Sequence, residues 1–294
     1  MKKVGFIGVG IMGKSMVRNL MKAGFELHIY ARTKSKVEDV IGEGAQFHES
    51  IKDCVQDCDA VITIVGFPQD VEEVYFDEGN ILDSAKEGAY LIDMTTTSPQ
   101  IAEKIYVEGT KRGFHVMDAP VTGGDTGAKA GTLSILVGGE KEDYEACMPL
   151  FEAMGTNINY QGKAGCGQHC KLANQIMIAG TLSGVCEALT YAKEQGLDPE
   201  VFMKSVATGA AGSKQLDTFG PKILKEDYAP GFFMKHFIKD MKLALIEANR
   251  KGLSLDVLSM VLANYEELEQ EGYGDLGTQA LMKFYDEEHR NMEE

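Results

Sequence analysis

Two short stretches of this chain carry residue types at spacings that chemistry uses. The first is Gly8-Val9-Gly10-Ile11-Met12-Gly13. Glycines at positions one, three and six of such a run allow a tight turn, a close approach of backbone to a pyrophosphate, and close packing of a helix on a strand. The free N–H groups and positive dipole end of the helix then meet the phosphates. Turn glycines alone would read the same way, so the flanks decide. Residues 4–7 read as a buried strand and residues 14–22 as a helix, which is the context the motif needs. All six residues are assigned to a dinucleotide. The second stretch is Lys171, Asn174 and Gln175, at i, i+3 and i+4 of a proline-free helical pattern over residues 170–193. One face of that helix carries a cation beside two amides. On helix statistics this is a surface lysine with polar neighbours, although the dipole disfavours a lysine in the first turn. Its place behind the glycine-rich stretch 162–167 marks it as functional. Reducing an aldehyde needs a hydride donor and a proton donor at the carbonyl oxygen. An ammonium can stabilise the developing alkoxide and give up its proton, while the amides orient it without adding charge.

The end of the second strand, residues 26–30, bears on the cofactor. An NAD site places an acid about 20 residues after the glycines, on the ribose hydroxyl. Here the chain runs Ala31-Arg32-Thr33-Lys34-Ser35-Lys36, with no acid until Glu38. Arg32 can grip a 2′-phosphate bidentately, with Thr33 adding a hydroxyl and Lys36 a charge, so NADP is favoured over NAD. A solvated basic helix start is the other use of these residues. Val65, closing the apolar run 60–65, is counted with the cofactor residues. Asp118-Ala119-Pro120-Val121-Thr122-Gly123-Gly124 admits two readings. It is a loop leading into a tight hairpin, or a nest in which Thr122, Gly123 and Gly124 offer a hydroxyl and successive N–H groups to a carboxylate.

The elements that must position these residues follow from periodicity. Short apolar runs at 4–7, 26–30, 60–65, 89–92, 114–117, 133–137 and 158–160 alternate with amphipathic stretches. Such runs suit strands covered on both faces, so the expected fold is α/β, a Rossmann-like, doubly wound, mostly parallel sheet. After Gly167 only helical patterns remain, at 170–193, from Pro199, at 232–250, 255–271 and 278–285. The expected division is a dinucleotide-binding domain at 1–163 and an all-α domain at 164–294 for substrate and subunit contacts. The charged end, 286–294, reads as a frayed tail. No apolar run approaches the roughly 20 residues that span a bilayer. A net charge of −16 argues against nucleic acid and anionic membrane as partners. Six cysteines without a secretory spacing point to a reducing cytoplasm. The apolar helices of the second half point to a homo-oligomer.

Four segments together resemble the β-hydroxyacid dehydrogenase family, which includes 3-hydroxyisobutyrate, tartronate-semialdehyde and glyoxylate/succinic-semialdehyde enzymes. They are residues 5–13; residues 118–124 with Gly127-Ala128 and Gly131-Thr132-Leu133; residues 165–175; and Lys239-Asp240-Met241-Lys242. The resemblance implies an NAD(P)-dependent oxidoreductase that interconverts a small hydroxy acid and its aldehyde acid. It implies Lys171 as acid/base, Asn174 holding substrate, and Thr122, Gly123 and Gly124 binding its carboxylate. It places Thr96 near the nicotinamide, Lys239 against cofactor and Asp240 behind the lysine. Family members often carry Ser where Thr122 stands, and the extra methyl narrows the pocket. Gln175 and Phe232 are grouped with the substrate, and Lys242 with the cofactor. Lys235, Lys239 and Lys242 also read as a solvated basic stripe, and Phe232 with Phe233 as core.

Other chemistries fare worse. Cys166, His169 and Cys170 match no common zinc spacing, so no metal is expected. Ser183-Gly184 and Ser213 lack a nucleophile-elbow context. A 6-phosphogluconate dehydrogenase needs a basic phosphate pocket, yet only Arg250, Lys251 and Lys283 follow Lys242 before the tail. Imine reductases share the architecture but usually replace the lysine. A non-catalytic NADP-binding sensor is the alternative from another class.

Overall fold

The structure, a computed structural model, describes residues 1–286. The charged tail expected at 286–294 lies outside the described residues from 287 onward. The chain divides into two compact units, Met1–Lys171 and Leu172–Glu294.

The first unit is built on one nine-stranded sheet. Its strands are β1 (Lys3–Ile7), β2 (Glu26–Tyr30), β3 (Gln46–Phe47), β4 (Ala60–Thr63), β5 (Tyr90–Asp93), β6 (His115–Asp118), β7 (Val121–Thr122), β8 (Leu133–Gly139) and β9 (Gly155–Gly162). The order is β3-β2-β1-β4-β5-β6-β8-β7, with β9 on β8. Every pair from β3 to β6 is parallel. β8 runs antiparallel to β6 and β7 and parallel to β9. The doubly wound, mostly parallel sheet read from the apolar runs is therefore present. β3 and β7, two residues each, are too short to show a period.

Side chains alternate across a strand, so a strand covered on both faces must be apolar at nearly every position. Val4, Phe6, Ile62, Ile92 and Met117 enter one core with Met16, Val17 and Leu20 of helix Ile11–Lys22. Ile7, Val61, Leu91 and Val116 enter the other with Val71 of helix Pro68–Phe76 and Ile105 of helix Pro99–Lys111. Each such burial contributes about 1.5–3 kcal/mol, which outweighs weak local propensities. The sheet order reverses between β1 and β4. The loops after Ile7, Thr63, Asp93 and Asp118 all leave the carboxyl edge of parallel strands. That edge, at the reversal, is where open α/β sheets take ligands. At the far side β9 has one partner, β8, among the described residues, and its register shifts twice along that pairing.

The second unit packs helices Pro199–Val206, Lys214–Ile223, Met234–Arg250 and Asp256–Gln270 with most of Cys166–Glu194. Leu182, Cys186, Phe237, Met241, Val261 and Tyr265 share its core. Among the described residues its one β feature is an isolated bridge, Phe233 to Gly277. Helix Lys214–Ile223 was not apparent in the sequence, because Gly220-Pro221 punctuates it. Ser213 caps it, accepting from the Leu216 N–H at 3.1 Å. The stretch expected as a helix over 278–285 opens instead as a 3-10 turn, Thr278–Leu281. Helix Cys166–Glu194 is long and apolar enough by composition to cross a membrane, although no single apolar run announces it. Leu172, Ala179, Leu182, Cys186 and Leu189 on it are buried in the protein's own second core.

Candidate functional site

The three motif glycines are glycines for different reasons. Gly8 has φ +98°, and a Cβ there would lie 2.1 Å from the Ile64 carbonyl oxygen. A Cβ on Gly13 would lie 2.1 Å from the Gly8 oxygen. Both positions are closed by the chain itself. Gly10 is not: its φ of −86° suits any residue, and a Cβ would meet nothing within 4 Å. The space in front of it is open to a group from outside the chain. Gly10 is the N-cap of helix Ile11–Lys22, whose first turn has no side-chain cap and no acid. Its N–H groups therefore face that space uncompensated, as a pyrophosphate requires. Val9 and Met12 pack into the core, whereas Ile11 is exposed. These residues fit a dinucleotide.

Arg32, Thr33 and Lys36 are exposed beyond β2, with Lys36 in a 3-10 turn that Thr33 precedes. Arg32 Nη1 sits 3.3 Å from Asp70 Oδ1. The sequence reading missed that neighbour. Asp70 also accepts from the Phe67 N–H at 2.9 Å, which fixes it at the start of helix Pro68–Phe76. An acid thus faces the basic end of β2, though from the first turn of helix Pro68–Phe76 rather than from the end of β2 itself.

The loops after β4 and β5 are joined through Asp93. The Val65 N–H donates to Thr95 Oγ1 at 3.0 Å. Asp93 Oδ1 accepts from Thr63 Oγ1 at 2.8 Å and from the Thr95 N–H at 3.1 Å, while Oδ2 has no partner. Complete burial pushes this carboxyl up from 3.8 to about 6. A raised folded value means that the folded protein binds the proton more tightly than the unfolded chain. Stability from this group is then full below pH 3.8 and is lost as pH rises through about 6. Asp93→Asn keeps an acceptor for Thr63 and Thr95 but cannot ionise. Its unfolding temperature, relative to the parent, is expected to improve as pH rises from 4 through about 6 and then to level off, a change of about 2–3 kcal/mol. Thermal unfolding across that range measures this, and a constant difference would count against it.

Lys171 is buried, and the helix that carries it is fastened to the sheet edge. Asp118, closing β6, accepts from the Gly165 N–H at 2.7 Å and the Gln168 N–H at 2.8 Å. It caps helix Cys166–Glu194 from outside. Burial raises this carboxyl, and the two N–H groups oppose the rise. The buried Gln168 amide accepts from the Thr97 N–H at 3.0 Å and donates to the Thr95 carbonyl at 2.7 Å. Half-buried Thr96 is thus pinned on both sides by the helix that presents Lys171 one turn later. A Cβ on Gly167 would strike the Leu136 oxygen at 2.4 Å, and one on Gly138 would strike Asp118 Oδ1 at 2.6 Å, so both glycines permit this approach. Sequence reading missed Gln168 and gave Asp118 no role. A signal existed for Gln168, which lies three residues before Lys171 and so on its face.

The stretch 121–124 is neither a plain loop nor an open hairpin. Thr122 ends β7, and Gly123 (φ +129°) and Gly124 (φ +63°) begin the seven-residue helix Gly124–Ala130. A Cβ on Gly124 would meet nothing within 4 Å. Asp125 stands in that first turn.

In the second unit four of the expected residues form one polar chain. Asn174 Nδ2 donates to Gln175 Oε1 at 2.8 Å, and Gln175 Nε2 donates to Asp240 Oδ2 at 2.7 Å. Lys239 Nζ pairs with Asp240 Oδ1 at 3.1 Å. Lys242 does not join them: it pairs with Glu266 at 2.7 Å, half exposed. Lys235 likewise pairs with Asp275, so the basic stripe is compensated from other elements. Phe232 packs on the second core, stacked on His236 and edge-on to Phe237. All six cysteines are free, and among the described residues no group of three His, Cys, Asp or Glu is placed to hold a metal.

Comparison with known proteins bears on this arrangement. A family profile described as the NAD binding domain of 6-phosphogluconate dehydrogenase matches residues 3–162. A second, described as NAD-binding of NADP-dependent 3-hydroxyisobutyrate dehydrogenase, matches residues 165–285. The chain is 44% identical over 281 residues to a probable 3-hydroxyisobutyrate dehydrogenase-like 1, mitochondrial, of Arabidopsis thaliana, covering 95% of this chain and 84% of that one. It is 37% identical over 253 residues to the 2-hydroxy-3-oxopropionate reductase of Escherichia coli, covering 86% of each. A solved structure of Mycobacterium tuberculosis 3-hydroxyisobutyrate dehydrogenase with L-serine superposes with a TM-score of 0.88 at 26% identity, covering 96% of this chain and 98% of that one.

Proposed function

Because the chain belongs to the β-hydroxyacid dehydrogenase family and is an NAD(P)-dependent oxidoreductase, we propose that it interconverts a small hydroxy acid and its aldehyde acid with Lys171 as general acid/base. The substrate is of the 3-hydroxyisobutyrate, tartronate-semialdehyde or glyoxylate/succinic-semialdehyde class. The observation that carries the reading is the placement of Lys171. It is a buried lysine one turn into a helix that Asp118 and Gln168 fasten to the ligand-binding edge of the sheet.

Residues 1–163 hold the dinucleotide, through Gly8 to Gly13, Val65 and Thr96, with Lys239 contributing from the second part. The nicotinamide supplies or accepts the hydride when bound. The chain's own residues do the rest. Lys171 Nζ places its proton at the substrate oxygen as an aldehyde is reduced and takes it back as an alcohol is oxidised. Until then its charge stabilises the alkoxide. Asn174 holds the reacting end, and Thr122, Gly123 and Gly124 take the carboxylate through a hydroxyl and backbone N–H groups. Arg32 favours NADP over NAD, provided that a 2′-phosphate draws it from Asp70. Residues 164–294 also supply subunit contacts in a cytoplasmic homo-oligomer.

One assay tests the reading. NADPH and NADH oxidation are followed with glyoxylate, succinic semialdehyde and tartronate semialdehyde, and with their methyl esters. Turnover of an acid with the lower KM for NADPH is expected. Esterification is expected to raise the substrate KM about tenfold or more, as loss of a charge-assisted contact does. Esters used as well as acids would remove the carboxylate site from Thr122–Gly124, and a preference for NADH would remove the role given to Arg32.

A further inference from the structure

The polar chain of the second unit has a direction, and one charge sets it. Asp240 is fully buried, with Lys239 at Oδ1. A carboxylate paired with a lysine only accepts hydrogen bonds. Gln175, 1% exposed, must therefore turn its NH2 toward Asp240 Oδ2, 2.7 Å away. Its carbonyl then faces position 174, and Asn174 must answer with its own NH2 at 2.8 Å. The two ends of an amide are alike in shape, so packing alone would leave Gln175 and Asn174 free to flip. The anion removes that freedom at both residues.

We propose that Gln175 is a positioning residue that never meets the substrate. It transmits the orienting effect of Asp240 to Asn174, so that half-buried Asn174 turns its carbonyl oxygen outward. The proposal rests on the reading of Asn174 as a substrate contact. An acceptor held in one direction receives the hydrogen of a hydroxyl group, so the relay aligns the alcohol of a hydroxy acid. If Asn174 could flip, part of the population would offer an NH2 in its place.

A charge swap tests the relay without reading turnover. Asn174→Asp, Asp240→Asn and the double variant are made in the full chain and compared by thermal unfolding. In the first single variant a carboxylate faces the Gln175 carbonyl, acceptor against acceptor. In the second, the orienting charge is gone. In the double variant the relay runs backwards: the new carboxylate at position 174 accepts from Gln175 Nε2, and the new amide at position 240 donates to Gln175 Oε1. Each single variant is expected to lose several degrees and the double variant to recover above both. Additive losses would overturn the relay, whatever the enzyme's substrate proves to be. Gln175→Met then tests its purpose, because Asn174 stays in place but loses its guide. The KM for the hydroxy acid is expected to rise about tenfold, equivalent to one lost hydrogen bond, with kcat within about threefold. An unchanged KM in a folded Gln175→Met enzyme would make Gln175 structural only.

Discussion

Replacing Lys171 by Ala is expected to lower kcat by about a hundredfold or more while the affinity for the reduced cofactor stays close to that of the parent. The fold should tolerate the change. Ala is the best helix former, and Asp118 and Gln168 fix the start of the helix. What is lost is a proton donor and a charge at the reacting oxygen, both needed more in the transition state than in the ground state. Turnover should therefore fall much more than binding. Steady-state kinetics on the best acid, with fluorescence titration of the cofactor, measures both quantities. A folded variant that turned over like the parent would end the assignment of Lys171.

Gly10→Ala and Gly13→Ala are expected to fail in opposite ways. A methyl on Gly10 touches nothing in the protein and suits its backbone. The entropy gained by leaving Gly, about 0.4–1 kcal/mol, is offset by the poorer N-cap that Ala makes, so the unfolding temperature should barely move. The methyl would however occupy the space assigned to the pyrophosphate. Cofactor affinity should fall on the order of a hundredfold, close to 2.7 kcal/mol. A methyl on Gly13 strikes the Gly8 oxygen at 2.1 Å and the Phe6 ring at 3.2 Å. Overpacking of that kind costs about 1–3 kcal/mol of stability, and here the strained oxygen belongs to the same loop. A Gly10→Ala protein that bound cofactor normally would show that the pyrophosphate does not lie there.

The residues that could be read in advance are those whose signal is local. Gly8, Gly10 and Gly13 declare themselves by spacing. The strands declare themselves because both faces are buried, so that Val4, Gly5, Phe6 and Ile7 are all apolar. Lys171, Asn174 and Gln175 share a helix face by arithmetic. What could not be read is held across distance. Gln168 binds the Thr95 carbonyl 73 residues away, and Asp118 caps a helix 47 residues downstream. Asp70 meets Arg32 only because β2 and β4 flank β1. Nor does periodicity report β3 or β7, which are shorter than one alternation. The same limit split the basic stripe: Lys239 turns to a buried acid and Lys242 to surface Glu266, although they are three residues apart.

β9 shows how the sheet ends. A strand with a partner on one side offers its other row of N–H and C=O groups to any chain that comes near, and eight residues is long enough to template a match. Its sequence, Gly-Thr-Asn-Ile-Asn-Tyr-Gln-Gly, has just two large apolar side chains, and its pairing with β8 is broken by two irregularities. Polar amides and a kinked register make it a poor seed for intermolecular strand growth. Mutating Asn157 and Asn159 to Val would remove the polar half of that protection, at the cost of the exposed Asn157–Ser134 and Asn159–Asn157 hydrogen bonds. The consequence would appear as clumping during refolding at high protein concentration, with the activity of correctly folded molecules unaltered.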